Sequence, residues 1–480
     1  MPASLRNNTA TTSGVDYSTV TAGTAVAAGA TLVTNSTSTE TKTFKLTSAA
    51  GWVGITNCGH SGDINVQVTG ETTYTVFGAM NGAEAGNITL EIESGAKIGD
   101  GTYSGVTAAI AGAYNNGKAK SFNAFIHNGL VNGDIVGGSI NNGCDIESVN
   151  LTINNGTVNG SVIGGSKTAA GKVGKANIVI NGGTITGNIN AGGDAGTIGD
   201  TSVTIKGGII NGNIVKGSAT RTTDAQTTVT VEGNKAKIGT NNKGSITADT
   251  VTFRNVSASS YSDGFDKYSG SVTADKLTLD NVSVDVLATL TVDAIEVVNG
   301  STTSVILGDT ATLSTLTLDS DTVFGAFKAA EARTAETAKE TTISVGTLTA
   351  GTGATLNANL KFSADSTLNL AGSLAMGSSV ELASGMTLGL SPEMLEKLYS
   401  GVSLELFTGV DSLTLDGTTI TEGTTLSADD IFSGLSADYT YEMGFDAGVV
   451  SLSATMVPEP TTATLSLLAL AALAARRRRR

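Results

Sequence analysis

The chain has 480 residues, including 61 glycines, 5% aromatic and 15% charged residues, and a formal net charge of −15. That balance argues against nucleic-acid binding, which needs a basic surface to neutralise phosphates. At 40% hydrophobic it is also too apolar for a disordered acidic chain, and its regular patterning favours one repeated core over several globules.

Residues 1–20 lack a basic start followed by a roughly 7–15-residue apolar stretch, so no secretory signal peptide is visible. Residues 1–60 read as an N-terminal cap of irregular β structure. Between 61 and 300 a repeat takes over. Aliphatic or aromatic pairs separated by one residue recur at Val66/Val68, Leu90/Ile92, Ala124/Ile126, Leu151/Ile153, Ile178/Ile180, Val203/Ile205, Val229/Val231, Val251/Phe253 and Leu277/Leu279. Steps between second members are 24, 34, 27, 27, 25, 26, 22 and 26 residues. Alternation of period two marks a strand with one buried face.

A second unit follows several of these pairs. Gly129 to Ile135, Gly156 to Val162, Gly183 to Ile189 and Gly208 to Ile214 each carry a second glycine four residues after the first. Such glycines supply corners that other residues turn at a cost. Residues 244–257 and 270–283 agree at nine of fourteen positions across a 26-residue shift. The fold expected is all-β: a parallel β-solenoid (β-helix) of about 25-residue coils, each of two or three short strands stacked about 4.8 Å apart. Aliphatic side chains fill its interior, and Asn and Thr form exposed or laddered rows. The long step from Ile92 to Ile126 places a loop at 103–120. An antiparallel sandwich is the rival, but hairpins do not require a fixed repeat. In pattern alone, the layout resembles the passenger regions of autotransporter-like and adhesin β-solenoids.

Residues 301–390 continue as a looser solenoid, interrupted at 324–340 by an Ala/Glu/Lys-rich insertion that reads as a short helix or solvated loop. At 391–398, Ser391 and Pro392 followed by an acidic first turn are helix-start signals. The rest of 391–456 reads as paired strands capping the open end.

Candidate chemistry is sparse. His60 and His127 are not paired at a ligand spacing, and His127 is expected in a surface row beside Asn154 and Asn181. Cys58 and Cys144 lie about three coils, roughly 14 Å, apart, beyond the approximately 7 Å reach of a disulfide. Gly192 to Asp200 partly resembles a calcium-binding nonapeptide but occurs once, so it reads as a glycine-rich turn. Asp263 and Asp266, near Tyr261 and Tyr268, are the nearest approach to a carboxylate pair on an aromatic platform, in what reads as an exposed loop. Trp52 lies outside the repeats. No catalytic residue, metal ligand or cofactor site is assigned, and the protein is expected not to be an enzyme. The alternative is a carbohydrate-active enzyme, a polysaccharide lyase or glycosidase, on the same scaffold.

The tail is more specific. Val457, Pro458, Glu459 and Pro460 precede an apolar run at 461–475, which ends in Arg476, Arg477, Arg478, Arg479 and Arg480. The prolines hold the backbone extended and outside any ladder. The run makes a hydrophobic helix of only about 22 Å against a hydrocarbon core of roughly 30 Å. The arginines act as a membrane stop, holding its end on the cytoplasmic face. This order of parts resembles the PEP-CTERM sorting signal of exported proteins in Gram-negative bacteria. The resemblance implies transient membrane anchoring by the tail, recognition by an exosortase-type membrane protease, cleavage near Pro458–Pro460, and delivery to the cell surface or extracellular matrix. It also implies an export signal, so either this sequence begins downstream of the true start, or the signal has been removed, or the tail misleads; the first two are the expectation. The role expected is structural or adhesive, through many weak contacts with exopolysaccharide or other surface glycans.

Overall fold

Alternating β-branched and polar residues carry the chain into strands. A computed structural model describes residues 30–33, 41–49, 53–56, 62–72, 75–80, 84–99, 108–328 and 340–457. With 58% strand and 4% helix the protein is all-β. Residues 1–309 with 324–339 form one compact unit, and 310–323 with 340–480 a second.

In the first unit the central repeats, such as 144–163 and 201–215, contribute three strands each, and these pair in parallel with their counterparts in neighbouring repeats. The first column places Val68, Ile92, Ile126, Ile153, Ile180, Ile205, Val231, Phe253, Leu279 and Val297 in continuous register. None of these side chains is more than 1% exposed. The second column aligns Ile98, Val131, Val158, Ile185, Ile210 and Ile238. The third aligns Val76, Ile110, Ile135, Val162, Ile189, Ile214, Ile246 and Val272. Burying each such side chain is worth about 1.5–3 kcal/mol, so the core is a sum of equivalent increments. This large, mostly parallel arrangement is compatible with a β-helix. The expected loop at 103–120 is corrected in part. Ala108–Tyr114 and Gly117–Ile126 are strands in register with their neighbours, because Ile110 and Ala119 to Ile126 match the inward pattern. Residues 100–107 lie outside the described residues.

Polar residues that face away from the interior run in ladders along the stack. Asn150 Nδ2 donates to Asn123 Oδ1, Asn159 Nδ2 to Asn132 Oδ1 and Asn181 Nδ2 to Asn154 Oδ1, each at 2.8 Å.

Corner glycines do two jobs at once. Gly183 has φ +85°, and a Cβ there would lie 2.6 Å from the Gly156 carbonyl oxygen of the repeat beneath. Gly233 has a similar φ of +74° with nothing within 4 Å of its would-be Cβ. Gly233→Ala should therefore cost only the left-handed strain, about 1–2 kcal/mol. Gly183→Ala should cost clearly more, because a stacked backbone must also move. Chemical denaturation of the two variants checks this, and equal costs would show that stacking adds nothing.

In the second unit, the parallel pattern continues with a shorter step. Leu316, Leu348, Leu368 and Leu388 are in register on successive strands. The chain then turns antiparallel, with Tyr439–Asp446 against Val449–Met456 and Leu413–Leu415 against Thr418–Ile420. The helix α1, Pro392–Tyr399, starts as its sequence dictates. Ser391 accepts from the Met394 amide at 3.4 Å, Pro392 takes the first turn, and Met394 and Leu398 are buried. It packs on Leu404–Thr408 and Val449–Met456. The reading of 324–340 as helix or loop is corrected at its start. Val323–Phe327 is a strand because Phe324 and Ala326, separated by one residue, are both fully buried. Residues 329–339 lie outside the described residues.

Candidate functional site

The last strand, Val449–Met456, leads straight into the tail motif. The Val457 amide donates to the Asp438 carbonyl at 2.8 Å, the final backbone bond of the sheet. Met456 is 64% and Val457 42% exposed. The last strand ends at Met456, and the motif that follows contains prolines, which have no N–H to donate to a ladder. Pro458, Glu459, Pro460, the apolar run with its expected helix, and Arg476 to Arg480 lie outside the described residues. Among the described residues no helix is long and apolar enough to cross a membrane.

A second feature is buried in the first unit. Glu91, Glu93 and His127 place one carboxylate oxygen each and a ring nitrogen within 4.8 Å of one another. Their exposures are 0%, 4% and 6%. Gln67, in register with Glu91 on the neighbouring strand, is buried too, and its Nε2 donates to Glu93 Oε1 at 2.7 Å. Glu93 Oε2, Gln67 Oε1 and His127 Nε2 have no hydrogen-bond partner. Burial pushes the Glu93 carboxyl up from its ordinary value, against the pulls of the Gln67 hydrogen bond and the buried Lys45 charge. Burial likewise pushes the His127 ring down from its ordinary value.

Two expectations about His127 change here. The row beside Asn154 and Asn181 exists, with Asn154 Nδ2 3.2 Å from His127 Nδ1. Yet the ring is buried, not on the surface, and it does meet other ligand-type side chains. Those come from the preceding repeat, 34 and 36 residues earlier in sequence, where no local spacing shows them. His60, Cys58 and Trp52 lie outside the described residues. Cys144 is a buried free thiol, held above its ordinary pKa chiefly by burial.

The Asp263 and Asp266 loop is only half exposed, another correction. Asp263 pairs with Lys237 on the surface. Asp266 is buried, accepts from the Ser259 amide at 3.1 Å and pairs with Lys267 at 2.7 Å. Tyr261 is 61% exposed, while Tyr268 is buried, stacks on Phe265 at 5.0 Å and donates its hydroxyl to the Gly244 carbonyl at 2.6 Å. The loop is folded back by Phe265 and Tyr268, which fill the space beside Phe253. In the Gly192 to Asp200 turn the aspartates hold neighbouring residues: Asp194 Oδ1 accepts from Asn190 Nδ2 at 2.7 Å, and Asp200 Oδ1 from the Gln226 backbone amide at 2.9 Å.

Outward positions of the first column form an open polar groove of about 670 Å³. Its floor is the register row Asn150, Asn177, Ser202 and Thr228, flanked by Asp200 and Gln226.

Residues 457–480 match the PEP-CTERM protein-sorting motif. The chain therefore carries the signal of an exported, surface-directed protein sorted by exosortase. No curated protein and no solved structure matches it.

Proposed function

We propose that the chain is a non-enzymatic surface or matrix protein, a parallel β-solenoid body that exosortase trims from its C-terminal tail. The observation that carries this is position: the sorting motif begins at Val457, directly after the last strand, where Met456 and Val457 are exposed. A protease acting near Pro458–Pro460 would cut beyond the last strand, so the body need not unfold. The polar groove and asparagine ladders support an adhesive role, because repeated amide and hydroxyl groups suit many weak hydrogen bonds to a polysaccharide.

Mass spectrometry of the C-terminus, from cells with and without an active sorting protease, tests the processing. Exported protein should end near Pro458–Pro460, and Pro458→Ala with Pro460→Ala should abolish that product. An intact Arg480 on exported material would overturn the reading. Binding to isolated exopolysaccharide without release of reducing ends is expected. Depolymerisation lost on Asp263→Ala and Asp266→Ala would instead establish an enzyme.

A further inference from the structure

We propose that Glu91, Glu93 and His127 form a binding site for one divalent transition-metal cation, which staples successive repeats of the first unit together. The three groups lie within 4.8 Å of one another and are all buried. Two of them end in atoms with no hydrogen-bond partner, Glu93 Oε2 and His127 Nε2. A buried polar atom without a partner is destabilising, because it has given up water and gained nothing in return. Two in one cluster, beside an equally unpartnered Gln67 Oε1, leave three buried polar atoms without a hydrogen bond, even though the Lys45 charge acts on Glu93.

The ligand chemistry selects the ion class. Calcium takes about 6–8 oxygen ligands and magnesium demands near-octahedral oxygen with several waters. Two carboxylates and a neutral imidazole in a buried setting suit Zn²⁺, which accepts mixed nitrogen and oxygen in four-coordination, or Mn²⁺. Bonds of about 2.1 Å to a tetrahedral ion would draw the ligand atoms together by roughly 1–1.5 Å, a shift side-chain rotation supplies.

The asparagine row completes the arrangement. When Nε2 coordinates, Nδ1 carries the ring proton and needs an acceptor. Asn154 lies 3.2 Å from Nδ1, and turning its amide presents Oδ1 there, with Asn181 turning in step. The ladder works in either direction, so metal binding breaks none of its bonds. Because Gln67, Glu91 with Glu93, and His127 come from three consecutive repeats, the ion would cross-link stacked coils.

The test uses tag-free, full-length protein stripped with chelator, then titrated calorimetrically with Zn²⁺, Mn²⁺, Mg²⁺ and Ca²⁺, with metal content measured directly. One Zn²⁺ or Mn²⁺ per chain is expected, with a raised Tm and with Mg²⁺ and Ca²⁺ much weaker. His127→Asn is the key variant, since it continues the Asn154 and Asn181 row and should melt like stripped wild-type protein. It should bind more than about 100-fold more weakly, since even an outer-shell partner is worth about 10–100-fold. Glu93→Gln, which keeps a hydrogen-bonding group beside Gln67, should weaken binding comparably and decides the matter if His127→Asn fails to fold. Absence of stoichiometric binding, or binding unchanged in the variants, would overturn the proposal and leave the cluster balanced by Lys45 and a proton on Glu93.

Discussion

Ile180→Ala should lower the stability of the first unit by about 3 kcal/mol. Ile180 is 1% exposed and sits directly between Ile153 and Ile205 in the first column. Removing three carbons from that position loses transfer free energy and leaves a cavity that the rigid stack cannot close; comparable buried truncations cost about 2–5 kcal/mol. Ile209→Thr supplies the contrast. Ile209 is 38% exposed on the second column, and the position beneath it is already Thr184. Its cost should stay within about 0.5 kcal/mol. Urea denaturation followed by circular dichroism measures both. Equal costs would mean that the column is not the source of stability.

Asp249 carries the second large effect, and it depends on pH. The carboxylate is 5% exposed; one oxygen pairs with Lys216 and the other accepts from the buried Thr227 amide at 2.6 Å. Burial pushes its pKa up, but Lys216, the Thr227 amide and the Arg221 charge together outweigh burial and hold it below the ordinary 3.8. A depressed folded-state pKa contributes stability that is present above the unfolded value and is lost as pH falls through the folded value. Asp249→Ala should thus cost about 3 kcal/mol at pH 7, since it strands a buried amide, removes the ion-pair partner of Lys216 and leaves Arg221 with Asp200 alone. Asp249→Asn should be less stable than wild type at pH 7. That gap should shrink as pH falls below about 4, because protonated aspartic acid then resembles asparagine. Denaturation at pH 7, 5, 4 and 3 reads the gap, and a gap constant with pH would refute the charge argument.

Asp249 also shows where a repeat stops being informative. It and Asp275 occupy the same place in two segments that agree at nine of fourteen positions. Asp275 is nonetheless exposed, while Asp249 is buried against Lys216. Asp249 is covered because the preceding repeat supplies Lys216 and Arg221, residues that are not part of the repeated pattern.

His127 teaches the reverse lesson. Aligning Ile92 with Ile126 already sets Glu93 beside His127 when the match is extended by one residue. The signal was present, but an irregular 34-residue step separates the two, and a search for local ligand spacings passes over it. The Asp263 and Asp266 loop misled for another reason: serines, glycines and charges read as solvated, while Phe265 and Tyr268 fold part of it inward.

The amino-acid order alone settled the period of the stack, the inward-facing set and the helix start at Ser391. It did so because in parallel pairing a one-residue slip would turn every aliphatic side chain outward, leaving a single register that buries them all. The tail motif was equally legible, being a contiguous string of three chemically distinct parts. Three-dimensional packing decided that the central repeats make three strands while 271–280 runs as one, and which polar side chains lose their water. Burial of Lys45, Glu91, Glu93, His127 and Asp249 depends on what other repeats lay against them, and that is a property of neighbours in space, invisible in the period.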